Sequence, residues 1–138
     1  MAYVFDASFV AGLIIPDERS PITDKMLTSM GEEEILVPQL LWYEMANIFY
    51  NLIRRKRYNH DEVRRFFPLL SAIRMKVDFE TGADYAQALV RLCDGYNLSS
   101  YDAAYLELAK RKRATLCTLD DGLRNAAKKC NVAVMATQ

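Results

Sequence analysis

Tyr3-Val4-Phe5-Asp6-Ala7-Ser8 is an apolar run that stops at an acid, just where a strand would hand over to a helix. Tyr3 to Phe5 favours β-structure, and Ala7 to Ile15 continues as a helix until Pro16 halts it. The stretch therefore predicts a βα unit with Asp6 at its carboxyl edge. The same pattern recurs along the chain. Glu34-Ile35-Leu36-Val37-Pro38 reads as a buried strand, Met75 to Phe79 and Thr115 to Cys117 as shorter ones, and Val132 to Met135 as a final apolar run. Between them the spacing predicts a helix over Thr23 to Met30, with Pro21 in its first turn and Gly31 closing it. Gln39 to Arg57 is the longest helix, and a second, capped by Asn59 and Glu62, runs back through Ile73, bent or broken near Pro68. The two form a helical hairpin. Helices over Thr81 to Asp94 (closed by Gly95), Ser99 to Arg113 and Gly122 to Lys129 follow. Short apolar strands alternating with longer amphipathic helices imply an α/β fold: one domain over residues 1–138, with a central, mainly parallel sheet flanked by helices.

Composition agrees with that reading. A chain of 138 residues is one domain by size, and a domain of that size buries roughly two-thirds of its unfolded surface. The 18 basic residues balance the 18 acidic ones, which excludes a uniformly basic nucleic-acid binder but leaves room for local clusters. No apolar run approaches the roughly 20 residues of a membrane span, and the start lacks the pattern of a signal peptide. A cytoplasmic protein with no membrane partner is expected. Cys93, Cys117 and Cys130 form no CxxC and are read as reduced and structural. Asn97-Leu98-Ser99 matches a glycosylation sequon with no secretion signal to give it meaning.

Four acids carry the chemistry. In parallel sheets ligands bind beyond the carboxyl ends of the strands, where Asp6 and Asp120 fall, and Asp102 joins them from the start of its helix. Glu44 has Leu40 and Ile48 as helical neighbours, and an unpaired carboxylate on so apolar a stripe costs several kcal/mol or is protonated. Each acid also has a local explanation. Asp6 is a candidate helix cap, Asp102 the third residue of a capping box begun by Ser99, Asp120 or Asp121 a cap after Thr118, and Glu44 a partner for a buried arginine. Their conjunction argues further, because carboxylates at one crevice repel by about 4 kcal/mol per pair at 4 Å in an effective dielectric of 20. A hard divalent cation offsets that repulsion. Oxygen-only donors suit Mg²⁺ or Mn²⁺ rather than zinc. His60, the only histidine, sits in a polar helix start, so no histidine acid/base pair is available and a metal-activated water is the best attacker. Phosphodiester hydrolysis fits that toolkit.

Val4-Phe5-Asp6-Ala7-Ser8, Glu44-Met45-Ala46-Asn47, Tyr101-Asp102-Ala103-Ala104-Tyr105-Leu106-Glu107-Leu108-Ala109 and Thr118-Leu119-Asp120 resemble, in order and spacing, the four acidic motifs of PIN-domain ribonucleases. The closest likeness is to the VapC-type toxins of bacterial and archaeal toxin–antitoxin pairs, and it spans Tyr3 to Ala127. The resemblance implies a Mg²⁺- or Mn²⁺-dependent endoribonuclease in which Asp6 and Asp102 ligate the metal and Asp120 is a further ligand or water holder. Glu44 would orient or deprotonate the attacking water, directly or through a second ion, and Ser8, Asn47 and Thr118 would support the acids from behind. Asp121, beside the motif acid, competes for the role of Asp120. An RNA substrate, a cognate antitoxin protein and a homodimer follow from the same likeness.

The basic groups Arg54-Arg55-Lys56-Arg57, Arg64-Arg65 and Lys110-Arg111-Lys112-Arg113 read either as RNA-phosphate contacts or as solvated helix ends favoured by the dipole. Trp42, Phe49, Tyr50, Phe66 and Phe67 exceed what one inner face of the hairpin requires and offer a dimer or antitoxin contact. Two other functions compete. Phosphotransfer through Asp6 needs a second acid two residues on, where Ser8 stands; a catalytically silent RNA- or protein-binding module needs none of the four acids.

Overall fold

A computed structural model describes residues 1–29 and 31–135. Four strands, β1 (Ala2–Phe5), β2 (Glu34–Pro38), β3 (Met75–Asp78) and β4 (Thr115–Cys117), form one sheet in the order β3-β2-β1-β4. All three ladders are parallel, with Val4 beside Leu36 and Phe5 beside Cys117. The expected final strand reaches only a single bridge, Val134 against Leu116, with Leu116 N–H donating to the Ala133 carbonyl at 2.8 Å. Parallel strands covered on both faces need continuous apolar runs, and Ile35, Leu36, Val37, Val4, Phe5 and Leu116 are all buried. Each such side chain contributes about 1.5–3 kcal/mol of burial.

The connecting helices are α1 (Ala7–Ile14), α2 (Pro21–Ser29), α3 (Leu40–Arg54), α4 (His60–Arg64), α5 (Phe66–Ala72), α6 (Ala83–Tyr96), α7 (Ser100–Lys112) and α8 (Asp121–Lys129). The expected end of α2 at Met30 lies outside the described residues. The hairpin of α3 with α4 and α5 is present and closes on Phe49, whose ring meets Phe66 at 5.8 Å and Phe67 at 5.1 Å.

Element ends shift by one to three residues from expectation, and the hairpin and α6 show the local reasons. The hairpin's return helix is broken near Pro68 as expected, at Arg65, which leaves Pro68 in the first turn of α5, where a missing N–H leaves no bond unmade. The first hairpin helix ends at Arg54 rather than Arg57: Lys56 turns to φ 58°, and the Arg57 and Tyr58 N–H groups both fold back onto the Leu52 carbonyl. Gly95 does not close α6; the helix continues to Tyr96, and Asn97 at φ 55° takes the left-handed capping position with its N–H on the Cys93 carbonyl.

Among the described residues no helix is long and apolar enough to cross a membrane. The three cysteines are free, and Cys117 is buried at the end of β4. His60 is exposed at the start of α4, as its polar surroundings predict.

Candidate active site

β1 and β4 end side by side, and their corners are tied together through Asp6. Its N–H donates to the Cys117 carbonyl at 3.2 Å, continuing the β1–β4 ladder by one bond. Its Oδ1 accepts from Ser8 Oγ at 2.8 Å and from the Phe9 N–H at 2.9 Å, and its Oδ2 accepts from Thr118 Oγ1 at 2.5 Å. Ser8 Oγ accepts in turn from the Leu119 N–H (3.0 Å), and Thr118 Oγ1 from the Asp120 N–H (3.0 Å). Asp6 is therefore both the cap of α1 and the centre of a hydroxyl-lined corner, so the capping and site readings do not compete. Only 4% exposed, its carboxyl is pushed up to about 6, chiefly by burial; the bonds from Thr118, Phe9 and Ser8 oppose that rise and Asp102 adds to it.

Asp102 and Glu44 complete the group from α7 and α3. Asp102 is half-buried in the first turn of α7, where Ser99 Oγ accepts its N–H at 3.1 Å, the one half of the capping box that forms. Burial raises its carboxyl, and the nearby Asp120 raises it further. Glu44 is half-buried in α3, and its partner is not the arginine weighed from the sequence but Tyr105, whose hydroxyl donates to Oε1 at 2.6 Å. Burial again raises the carboxyl first; Tyr105 opposes the rise and Asp102 adds to it. Tyr105 itself is driven far up by burial and by the surrounding charges of Glu44, Asp6 and Asp102.

Asp102 is thus the shared neighbour. It acts on Asp6 and Glu44, and Asp120 acts on it, so Asp102 links the other three acids electrostatically. Among the described residues no cation acts on Asp6, Glu44 or Asp102 to offset them. Asp120 is exposed and caps α8, accepting from the Gly122 N–H at 3.3 Å. Asp121 turns elsewhere, 89% exposed and held by Arg124 at 2.6 Å.

Asn47, one turn beyond Glu44, is exposed and makes none of the bonds by which Ser8 and Thr118 hold Asp6. Two residues escaped the sequence reading. Tyr105 lies three residues after Asp102, a hydroxyl on the same helical face among alanines, and that spacing was a usable signal. Arg124 is buried, donates from Nη2 to the Thr118 carbonyl at 2.6 Å, and leaves its Nε without a partner among the described residues.

Of the basic clusters, Lys112 and Arg113 sit at the amino edge of the sheet beside Met1, Ala2 and Glu32 to Glu34, opposite the acids. Arg57 is engaged by Asp17 and Glu18, and Arg64 by Asp61.

The donor set fits a hard divalent cation in chemistry: carboxylate oxygens, raised protonation and no resident counter-charge. Among the described residues no three acidic, histidine or cysteine side chains are placed so that they could hold a metal ion as they stand.

Comparison with known proteins agrees with this geometry. The PIN domain family profile matches residues 3–129. Ribonuclease VapC3 of Pyrobaculum aerophilum is 30% identical over 120 residues, 87% of this chain and 90% of that protein. Among solved structures, PAE2754 from Pyrobaculum aerophilum superposes with a TM-score of 0.69 at 22% identity, covering 91% of this chain and 84% of that one. A toxin–antitoxin complex from Klebsiella pneumoniae contains a chain that matches with a TM-score of 0.58 at 18% identity, covering 86% and 87%. By profile, by relative and by fold, the chain belongs to the PIN-domain family.

Proposed function

We propose that the chain is a metal-dependent endoribonuclease, hydrolysing RNA phosphodiester bonds as the toxin of a toxin–antitoxin pair. The observation that carries this is the electrostatic coupling of Asp102 to Asp6, Glu44 and Asp120, with no cation among the described residues acting on Asp6, Glu44 or Asp102. The name of its relative, Ribonuclease VapC3, supports the substrate class. Asp6, Asp102 and Asp120 would hold Mg²⁺ or Mn²⁺. A divalent ion bound there supplies positive charge against the carboxylate repulsion and acidifies a nearby water.

The chain's own residues do the rest. Ser8 and Thr118 fix the Asp6 carboxylate from both of its oxygens, so that it is oriented before anything binds. Glu44 takes the proton of the attacking water; its raised affinity for protons suits a base, and the Tyr105 hydroxyl fixes its orientation. Asn47 supports Glu44 from the adjacent turn once substrate is in place. The toxin–antitoxin complex named among the similar structures supports a protein antitoxin as partner. The exposed rings of Trp42, Tyr50 and Phe67 on the hairpin support a second protein contact, a homodimer. The absence of a membrane-spanning helix among the described residues is consistent with action in the cytoplasm.

Incubation of structured RNA with Mg²⁺, Mn²⁺ or EDTA, beside an Asp6→Asn variant, tests the proposal. Cleavage confined to the wild-type lanes with metal is expected. Equal cleavage in every lane would indicate a contaminating nuclease, and RNA binding without cleavage would leave a silent binding module.

A further inference from the structure

Next to the acids, on the same edge of the sheet, a cavity of about 340 Å³ opens between the starts of α3 and α7 and the side of α6. Its floor is the end of the β2–β3 ladder, where Pro38 pairs with Asp78. Tyr43, Tyr85 and Tyr101 wall it. From this arrangement we propose that it is a stacking site in which Tyr43, Tyr85 and Tyr101 receive one unpaired nucleobase of the RNA. The inference rests on the nuclease reading above and deepens it.

Three observations carry it. Tyr43 immediately precedes Glu44 and Tyr101 immediately precedes Asp102, so the helices that deliver two of the acids also wall the cavity. Tyr43 is 77% exposed and Tyr101 63%, large rings held in water at a crevice with no core to fill. The charged groups in the lining are Asp78 and Glu80. Both pair with Arg111, at 2.7 and 4.0 Å, and the lining itself holds no lysine or arginine for a phosphate, while a neutral planar base meets aromatic faces, with the exposed Gln39 amide within the lining to meet its polar edge. The volume stands at the low end of the roughly 300–1,000 Å³ typical of small-molecule sites. A base stacked inside a duplex cannot enter without leaving its partner, so pairing should exclude it.

A dodecamer RNA carrying 2-aminopurine, alone or annealed to its complement, tests the site by fluorescence, using the full chain with Asp6→Asn so that the RNA stays intact. The single strand should bind on the order of tenfold more tightly than the duplex, and Tyr43→Ala and Tyr101→Ala should each weaken it about tenfold while the phenylalanine variants keep it. Equal affinity for both RNAs, or alanine variants that bind like their parent, would overturn the proposal. Alanine variants that keep RNA affinity but change the oligomeric state would overturn it too, assigning the tyrosines to a protein contact. Cleavage by the wild-type chain beside Asp102→Asn is run in parallel. Asp102-dependent cleavage with unaffected alanine variants removes only the stacking site. If the wild type does not cleave, the nuclease reading falls and the binding contrast alone still decides the cavity.

Discussion

Two of the acid clusters among the described residues differ in one respect. Asp78, at the end of β3, and Glu107, in α7, surround Arg111, which gives Asp78 a bidentate pair at 3.0 and 2.7 Å and Glu107 another at 2.9 and 3.0 Å. That arginine holds the Asp78 carboxyl below its usual range. Asp6, Asp102 and Glu44 have no such cation and are all raised. The first cluster is complete as it stands and locks α7 to the sheet. The second is unfinished electrostatically, and the proposed cation site rests on that difference.

The contrast can be broken by substitution, and the largest effect expected is on chemistry. Asp102→Asn should lower RNA cleavage by roughly 10²–10³-fold, the size of losing one preorganised electrostatic group. Its melting temperature in metal-free buffer should hold or rise, because a repelling charge is gone. A large loss of stability without metal would show instead that Asp102 is needed as a cap.

pH sharpens the comparison next. The Asp6 carboxyl is raised to about 6 in the folded chain, so folding favours its protonated form. Without metal, the cost of ionising it is absent below the unfolded carboxylate pKa and fully present above about 6. Denaturant unfolding should therefore show this contribution to stability rising by roughly 1.4 kcal/mol as pH falls from 7 to 5, towards a limit of roughly 3 kcal/mol below the unfolded pKa, and Asp6→Asn should flatten that slope. Asp78 has the opposite sign: its contribution is present above the usual carboxylate range and is lost as pH falls through its lowered pKa.

Tyr105→Phe removes the hydroxyl that donates to Glu44, and cleavage should fall about 10–100-fold, with the acidic limb of its pH profile moving up. An unchanged profile would detach Glu44 from proton transfer. The smallest effect is expected in the finished cluster. Arg111→Met should cost about 1–2 kcal/mol in chemical denaturation, with or without metal, since the pair is partly exposed.

The unfinished cluster was largely legible in the sequence, and the finished one was not. An apolar run ending in an acid fixed β1 and Asp6, and the same logic placed Asp120, because strand ends and helix starts are local patterns. The bond from Tyr105 to Glu44 spans 61 positions and Arg111 to Asp78 spans 33, so neither could be read from spacing alone. Arg111 was instead grouped with Lys110, Lys112 and Arg113 as a solvated or RNA-binding run, although Glu107 four residues earlier pointed to an ion pair. The break near Pro68 was legible, but not its place at Arg65, because a proline is tolerated in a first helical turn and sequence does not say which turn that is.

Calorimetric titration of the metal-free chain with Mn²⁺ tests the central claim most directly. One saturable binding event that is lost in Asp102→Asn and kept in Arg111→Met is the predicted result. No saturable binding, or identical binding by wild type and Asp102→Asn, would contradict the claim that these acids are gathered to share a cation.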